Sequence, residues 1–486
     1  MYENVKAELE KADLYIDGNW VCDHDQSYFD SVNPSTLEVA GVCASASAAQ
    51  IDLAVDASKR AFKTWRKTPV SERADYLWKA ANAFEKKKLE IAEMMTKEMG
   101  KVLGESLGEV NVVIETCKYM AGEGRRLFGE SVPSGSPDRN ILMIREPLGV
   151  VACITPWNFP VALAGYKILA ALITGNTVVW KPASETALSA KLFTEVFDEI
   201  GLPPGVLNLI MGSGRTVGEK LSMHKHVNVV SFTGSTSVGC KLSEICSKTL
   251  KRISLELGGK NAVIVLEDAD LDKAAEAIVK SAFTTTGQRC TAASRVIAQK
   301  NIASELLTKA VNLTKSLKIG NGLNEDSDIG PLVNKNQLKI VEEYVQIGAA
   351  EGGTIVCGGN RVHDLKGYFY EPTILSNIRP HHRIAQEEIF GPVLAFIEVD
   401  SFEEAIEVNN DTVYGLSTSI FTNNLKLANM GARDVESGLV YINNGTSNAE
   451  LGVAFGGMKQ SGNGHREVSY HAFDVMTEWK SIYTSY

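Results

Sequence analysis

The sequence lacks the residue pairings that mark several protein classes. Its 8 cysteines form no CxxC pair and stand at no zinc-ligand spacing from histidine, so they read as reduced, mostly buried thiols. His224 and His226, and the neighbours His381 and His382, have no companion Cys or Glu at ligand spacing, and no metal is expected. There is no GxGxxG, the usual dinucleotide-binding fingerprint. Long apolar runs are missing too. The longest, Phe159 to Gly175, is 17 residues with Lys167 inside it, too short and too charged to span a bilayer, and reads as a buried helix. The opening MYENVKAELEKADLYIDG has no apolar core before a small-residue cleavage site. No leader is therefore expected, and with the reduced thiols a cytoplasmic protein is. Positive charge is in deficit, 49 Lys+Arg against 59 Asp+Glu for a net −10, which disfavours a nucleic-acid partner.

What is present is the composition of a globular chain, 486 residues with 44% hydrophobic and 22% charged, long enough for two or three domains. The first third reads as helical, with Ser71 to Met99 at helical spacing and Gly100 placed to cap it. From residue 148 the pattern alternates. LGVVACIT (148–155), NTVVW (176–180), VLNLIM (206–211) and VNVVSFT (227–233) are apolar strand candidates, separated by helical stretches to Ile173, from Thr186 to Ile200 and from Thr216 to Met223. Strands apolar along their whole length, in turn with helices, predict a parallel sheet covered on both faces. A second alternating region, with strand candidates at 353–359 and 392–399, runs from about 257 to 455. Two strand-like pieces, 132–147 and 475–486, fit neither region and suit an intersubunit sheet or a pair of ordinary edge strands.

Three residues invite a chemical reading. Cys290 sits in TTTGQRCTAAS, where small neighbours admit a substrate and backbone N–H groups, although an inert buried thiol is the commoner fate. Glu256 in LELGGK is a carboxylate in an apolar run, where burial would raise its pKa toward that of a usable base, or a buried, hydrogen-bonded structural glutamate. Asn158 in PWNFP follows a strand end and could donate to an oxyanion, or be a turn asparagine between prolines.

PWNFP, WKPASET, SFTGST, LELGGK, GQRC, EEIFGPV and AFGGMKQSG occur in that order from Tyr15–Trp20 to the end. This resembles the NAD(P)-dependent aldehyde dehydrogenase superfamily. The resemblance implies an α/β fold: a Rossmann-like cofactor domain (1–130 and 148–256), a second α/β catalytic domain (257–455), and a small β arm for oligomerisation (131–147 and 456–486). It implies Cys290 as nucleophile, Asn158 at the oxyanion, and Glu256 activating the water that hydrolyses a thioester. For the cofactor it implies Gly234 and Ser235 at the pyrophosphate, and Lys181 at the adenosine ribose. Gly214 falls near the adenine, Trp157 lines the cleft, and Glu388 with Phe390 meets the nicotinamide ribose.

Where NAD-preferring relatives carry a glutamate three residues after the lysine, this chain has Ser184, so NADP is expected beside NAD, unless Glu185 reaches the ribose instead. The expected partners are an aldehyde, which could be a semialdehyde, and further copies of the chain in a homodimer or homotetramer; no nucleic acid and no membrane are expected. A coenzyme A-acylating enzyme would lack Glu256, and a non-catalytic scaffold protein would have no reason to keep Cys290, Glu256 and Asn158 together. Arg289 could recognise a substrate carboxylate or brace its loop. The carboxylate-binding arginine of succinate-semialdehyde-type relatives is replaced here by Tyr166.

Overall fold

The computed structural model describes residues 9–22, 24–447 and 450–486, so part of the opening segment read for a leader lies outside the described residues. Two seven-stranded sheets organise the chain. The first runs, in spatial order, Arg252–Glu256, Val227–Thr233, Val150–Ile154, Thr177–Lys181, Leu207–Leu209, Leu14–Ile16 and Asn19–Val21. Its first five strands are parallel, and the last two form an antiparallel edge. Val150–Ile154 and Thr177–Lys181 are buried throughout, which is why they read as unbroken apolar runs. The second sheet runs Thr354–Cys357, Thr373–Ser376, Val393–Val399, Ala293–Gln299, Asn261–Val265, Ser417–Phe421 and Leu439–Ile442, parallel except for its first strand. The short segment after Glu256 and before Asn261 joins the two sheets, so residues at both its ends fall between them.

The first third is less helical than its pattern suggests. Ser27–Val32 and Val39–Ser45 pair with Glu10–Ala12 in a small sheet before the helices begin. Val39–Ser45 is rich in valine and small residues and buries its middle four positions, a pattern that suits a strand. Helix Val70–Met99 then ends at Gly100, whose φ of +94° and N–H to Thr96 O (3.0 Å) make the left-handed cap expected there. Glu98, in its last turn, is 1% exposed and takes four donors: Ser31 Oγ (2.8 Å), Leu188 N (2.9 Å), Ser189 N and Ser189 Oγ (both 2.7 Å). It thereby pins this helix to the start of Ala187–Glu199.

The run at 159–175 forms helix Ala162–Ile173, packed into the first core. Among the described residues no helix is long and apolar enough to cross a membrane. The two pieces that fitted neither region pair with each other: Thr477–Ser485 runs antiparallel to Arg139–Pro147, with Glu130–Val132 on its far side. The stretch from residue 456 to 476, expected in the arm, makes contacts with the first sheet and its core. Ala472–Met476 is buried in the first core, and Gly462 bridges to Glu256.

Candidate active site

Cys290, Asn158, Trp157, Gly234, Ser235, Glu388 and Phe390 line one cavity of about 300 Å3. Asn158 reaches it because its loop is braced from below. Buried Lys101 donates to Asn158 O (2.9 Å) and pairs with Glu109, whose other oxygen accepts from Val161 N and Ala162 N (both 2.9 Å). The Asn158 amide donates to Gln288 O (3.0 Å), which fixes its orientation against the nucleophile loop, and its own Oδ1 is buried without a partner.

That loop is entered through an unusual turn. Thr285, Thr286 and Gly287 are all left-handed, with φ of 55°, 57° and 67°. Two threonines in this region are strained, at a cost on the order of 1–3 kcal/mol each. The turn is held by Glu105 accepting from Thr285 N (2.9 Å) and by Thr286 Oγ1 donating to Gly330 O (2.9 Å). A Cβ at residue 287 would collide with Gly391 O, so glycine is required there. Arg289 closes the brace: its guanidinium meets Glu105 (3.0 Å) and Thr285 Oγ1 (2.8 Å) and lies 5.2 Å from the centre of the Phe159 ring. Of its two expected roles, the geometry gives bracing. Beyond the thiol, Asn261 Nδ2 holds the carbonyls of Cys290 (2.7 Å) and Ala292 (2.9 Å).

The electrostatics of the cavity are those of a dry pocket. Burial pushes the Cys290 thiol up to about 12, reinforced by Glu388 and Glu256, while the N–H groups of Thr291 and Cys290 pull it down. Glu256 is 4% exposed and neither of its oxygens has a hydrogen-bond partner. Burial, then Glu467, holds its carboxyl well above the usual carboxylate range; Lys167 and Arg466 oppose. Lys167 and Glu467 form a buried ion pair, joined by Ser231 Oγ. Glu467 carried no expected role, and Lys167 only argued against a membrane span. A lysine inside an apolar run requires a buried counter-charge, and that was the available signal.

Glu388 accepts from Gly259 N (2.9 Å), and burial raises it to about 7. A Cβ at Gly258 would strike its carboxylate. Trp157 and Phe390 meet edge to face, 5.3 Å between centroids, with Phe390 at a left-handed φ of 58°. Lys260, passed over in LELGGK, is buried with no partner for its amine, and burial lowers it to about 7. Lys181, Ser184 and Gly214 lie outside this cavity and form a second group. Lys181 donates to Pro182 O, Ser184 Oγ to Gly212 O (3.2 Å), and Gly214 opens the turn Gly214–Gly218, which approaches Lys181 at Gly218.

These residues suit a dinucleotide. Helix Thr236–Ser247 presents its first N–H groups with no side-chain cap, as an anion requires, and Glu388 has carboxylate valence left for a diol. Two largely parallel sheets with a cleft between them suit a nucleotide-dependent oxidoreductase.

The chain belongs to the aldehyde dehydrogenase family, whose model matches residues 20–482. It is 43% identical over 473 residues to an alpha-ketoglutaric semialdehyde dehydrogenase of Bacillus subtilis, covering 96% of this chain and 97% of that one. Among solved structures, betaine aldehyde dehydrogenase of Staphylococcus aureus in complex with NAD+ superposes with a TM-score of 0.96 at 33% identity, over 99% of this chain and 96% of that one. The NADP complex of 3,6-anhydro-L-galactose dehydrogenase gives 0.95 at 36%, over 98% and 100%. The protein is an NAD(P)-dependent enzyme that oxidises aldehydes to carboxylic acids.

Proposed function

We propose that Cys290 attacks the aldehyde carbon and that Glu256 later activates the water that frees the acid. The observation carrying this is the proximity of the two groups: Cys290 lines the cavity, and the buried, unpartnered carboxylate of Glu256 is close enough to act electrostatically on its thiol. The thiol proton must leave, since the thiolate is the nucleophile, and the N–H groups of Thr291 and Cys290 stabilise the charge left on sulfur. Asn158 uses one amide N–H on Gln288 O and has a second for the oxyanion of the thiohemiacetal. A bound nicotinamide would supply the acceptor for the hydride lost from that carbon. Glu388 would hold the nicotinamide ribose, Trp157 and Phe390 would wall the ring, and Gly234 and Ser235 would meet the pyrophosphate. Lys181 and Ser184 would meet the adenosine ribose, with Gly214 near the adenine. A thioester remains on Cys290, and Glu256, kept hungry for protons by burial and by Glu467, draws one from water to hydrolyse it. The presence of Glu256 disfavours transfer to coenzyme A.

Relatives from Bacillus subtilis and Haloferax volcanii that act on alpha-ketoglutarate semialdehyde, 43% and 38% identical, support an oxo-acid semialdehyde as substrate. Arg289 is engaged by Glu105, so a carboxylate clamp would have to come from elsewhere in the mouth. The arm exposes Leu142, Trp479, Ile482 and Tyr483, which supports a homo-oligomer; a chain ending at Met476 that sediments like the parent refutes it. A thiol nucleophile is suited to the reducing cytoplasm, which cell fractionation checks. The central test is Cys290→Ala. Oxidation of every aldehyde should fall by at least about a thousandfold, with cofactor binding kept, and residual turnover above that level rejects the nucleophile.

A further inference from the structure

Two side chains, one from each sheet's surroundings, touch at the adenosine end of the cleft. Glu185 follows Ser184 in the turn after Thr177–Lys181, and its Oε1 accepts a hydrogen bond from Asn334 Nδ2 at 3.2 Å. Asn334 is fixed in turn, because its Oδ1 accepts from Gln337 N at 2.9 Å and starts helix Lys335–Ala350. One amide thus uses both its ends, the oxygen to cap a helix and the nitrogen to hold a carboxylate 149 residues away. The helix is anchored as well: Gln337 Nε2 donates to Ile389 O (2.8 Å) and Phe390 O (3.0 Å). The carboxylate is therefore tied to a rigid element and not left to swing on its own turn.

Where it would otherwise swing matters. Ser184 is neutral at a position where a carboxylate binds the ribose diol and repels a 2′-phosphate. Glu185 is one residue on and close enough to Lys181 to act on its amine. We infer that Asn334 is a positioning residue for cofactor selectivity: by holding Glu185 on helix Lys335–Ala350 it keeps a negative charge off the site where the 2′-phosphate of NADP binds. This rests on the reading that Lys181 and Ser184 meet the adenosine ribose. Released, the carboxylate would accept from the ribose hydroxyls of NAD and repel the dianion of NADP. Both side chains are half-buried, so solvent screens the repulsion and the effect is graded.

The test compares kcat/KM for NADP with that for NAD in the full-length enzyme. Asn334→Ser keeps a capping hydroxyl but loses the donor. It should lower the NADP:NAD ratio by roughly fivefold. Glu185→Gln should leave the ratio level or raised, and the double variant should not fall as Asn334→Ser does. A ratio unaffected by misfolded enzyme makes loss of helix stability a separate matter. Ser184→Glu reports on the underlying reading. If it shifts the ratio toward NAD while Asn334→Ser leaves it unchanged, this inference is wrong and the ribose site stands. If neither shifts it, the ribose site is wrong and the inference falls with it.

Discussion

Glu98 and Glu256 are withdrawn from water almost equally, 1% and 4% exposed, yet their surroundings are opposite. Glu98 sits under the first sheet with four donors on its two oxygens. Glu256 ends a strand of the same sheet with none, and faces a second carboxylate, Glu467. Burial raises both; donors hold Glu98 to about 7, whereas Glu256 has only Lys167 and Arg466 against it. A buried carboxylate whose lone pairs are filled fastens two elements together. One whose lone pairs are empty costs stability, and on that the proposed chemical role of Glu256 rests.

Exchanging each for a neutral side chain separates the two roles. Glu256→Gln should show the largest effect. Turnover should drop about a thousandfold, with an acyl group visible on Cys290 by mass spectrometry and the melting temperature level or higher. Loss of stability with turnover intact would make it a fastener like Glu98. Glu98→Ala should do the reverse. It strands the N–H groups of Leu188 and Ser189 and two hydroxyls, and should cost about 2–4 kcal/mol in denaturant unfolding. Activity per folded molecule should hold, and a specific kinetic defect would break the contrast.

The smallest effect sharpens the comparison at Glu388, a carboxylate of intermediate provision with one donor, Gly259 N. Its folded value of about 7 lies above the ordinary 4.5, so the folded protein holds this proton more tightly than the unfolded chain. Its contribution to stability is full below pH 4.5 and is lost as pH rises through 7. Glu388→Gln should therefore stabilise the cofactor-free protein at pH about 8.5 by on the order of 1–3 kcal/mol, and hardly at all near pH 4.5, while weakening cofactor binding. Equal shifts in thermal melts at both pH values would refute this.

The contrast also marks what the sequence made legible. Alternating apolar strands and helices announced two parallel sheets, and Gly100 announced its helix end. Cys290, Glu256 and Asn158 could be singled out because their segments occur in a fixed order. Glu98 was not, since its partners Ser31, and Leu188 with Ser189, come from two distant segments with no motif among them. The same holds for Glu185 with Asn334, and for the left-handed Thr285 and Thr286, residues whose type argues against that backbone. The early strands were missed because segments of six and seven residues carry little periodicity.

The counter-ion of Lys167 is synthesised 300 residues after it. By Ile442 every strand of both large sheets has been made, and helix Ala162–Ile173 still holds an ammonium at its apolar centre with nothing to neutralise it. Closing the first core over that charge is opposed by its desolvation until Glu467 is available to pair with it. Ribosome-stalled chains ending before Glu467 should stay open to protease around residue 167, and chains released at full length should not. If the stalled chains do stay open, folding of the first core depends on a carboxylate that lies far along the sequence from the sheet it completes.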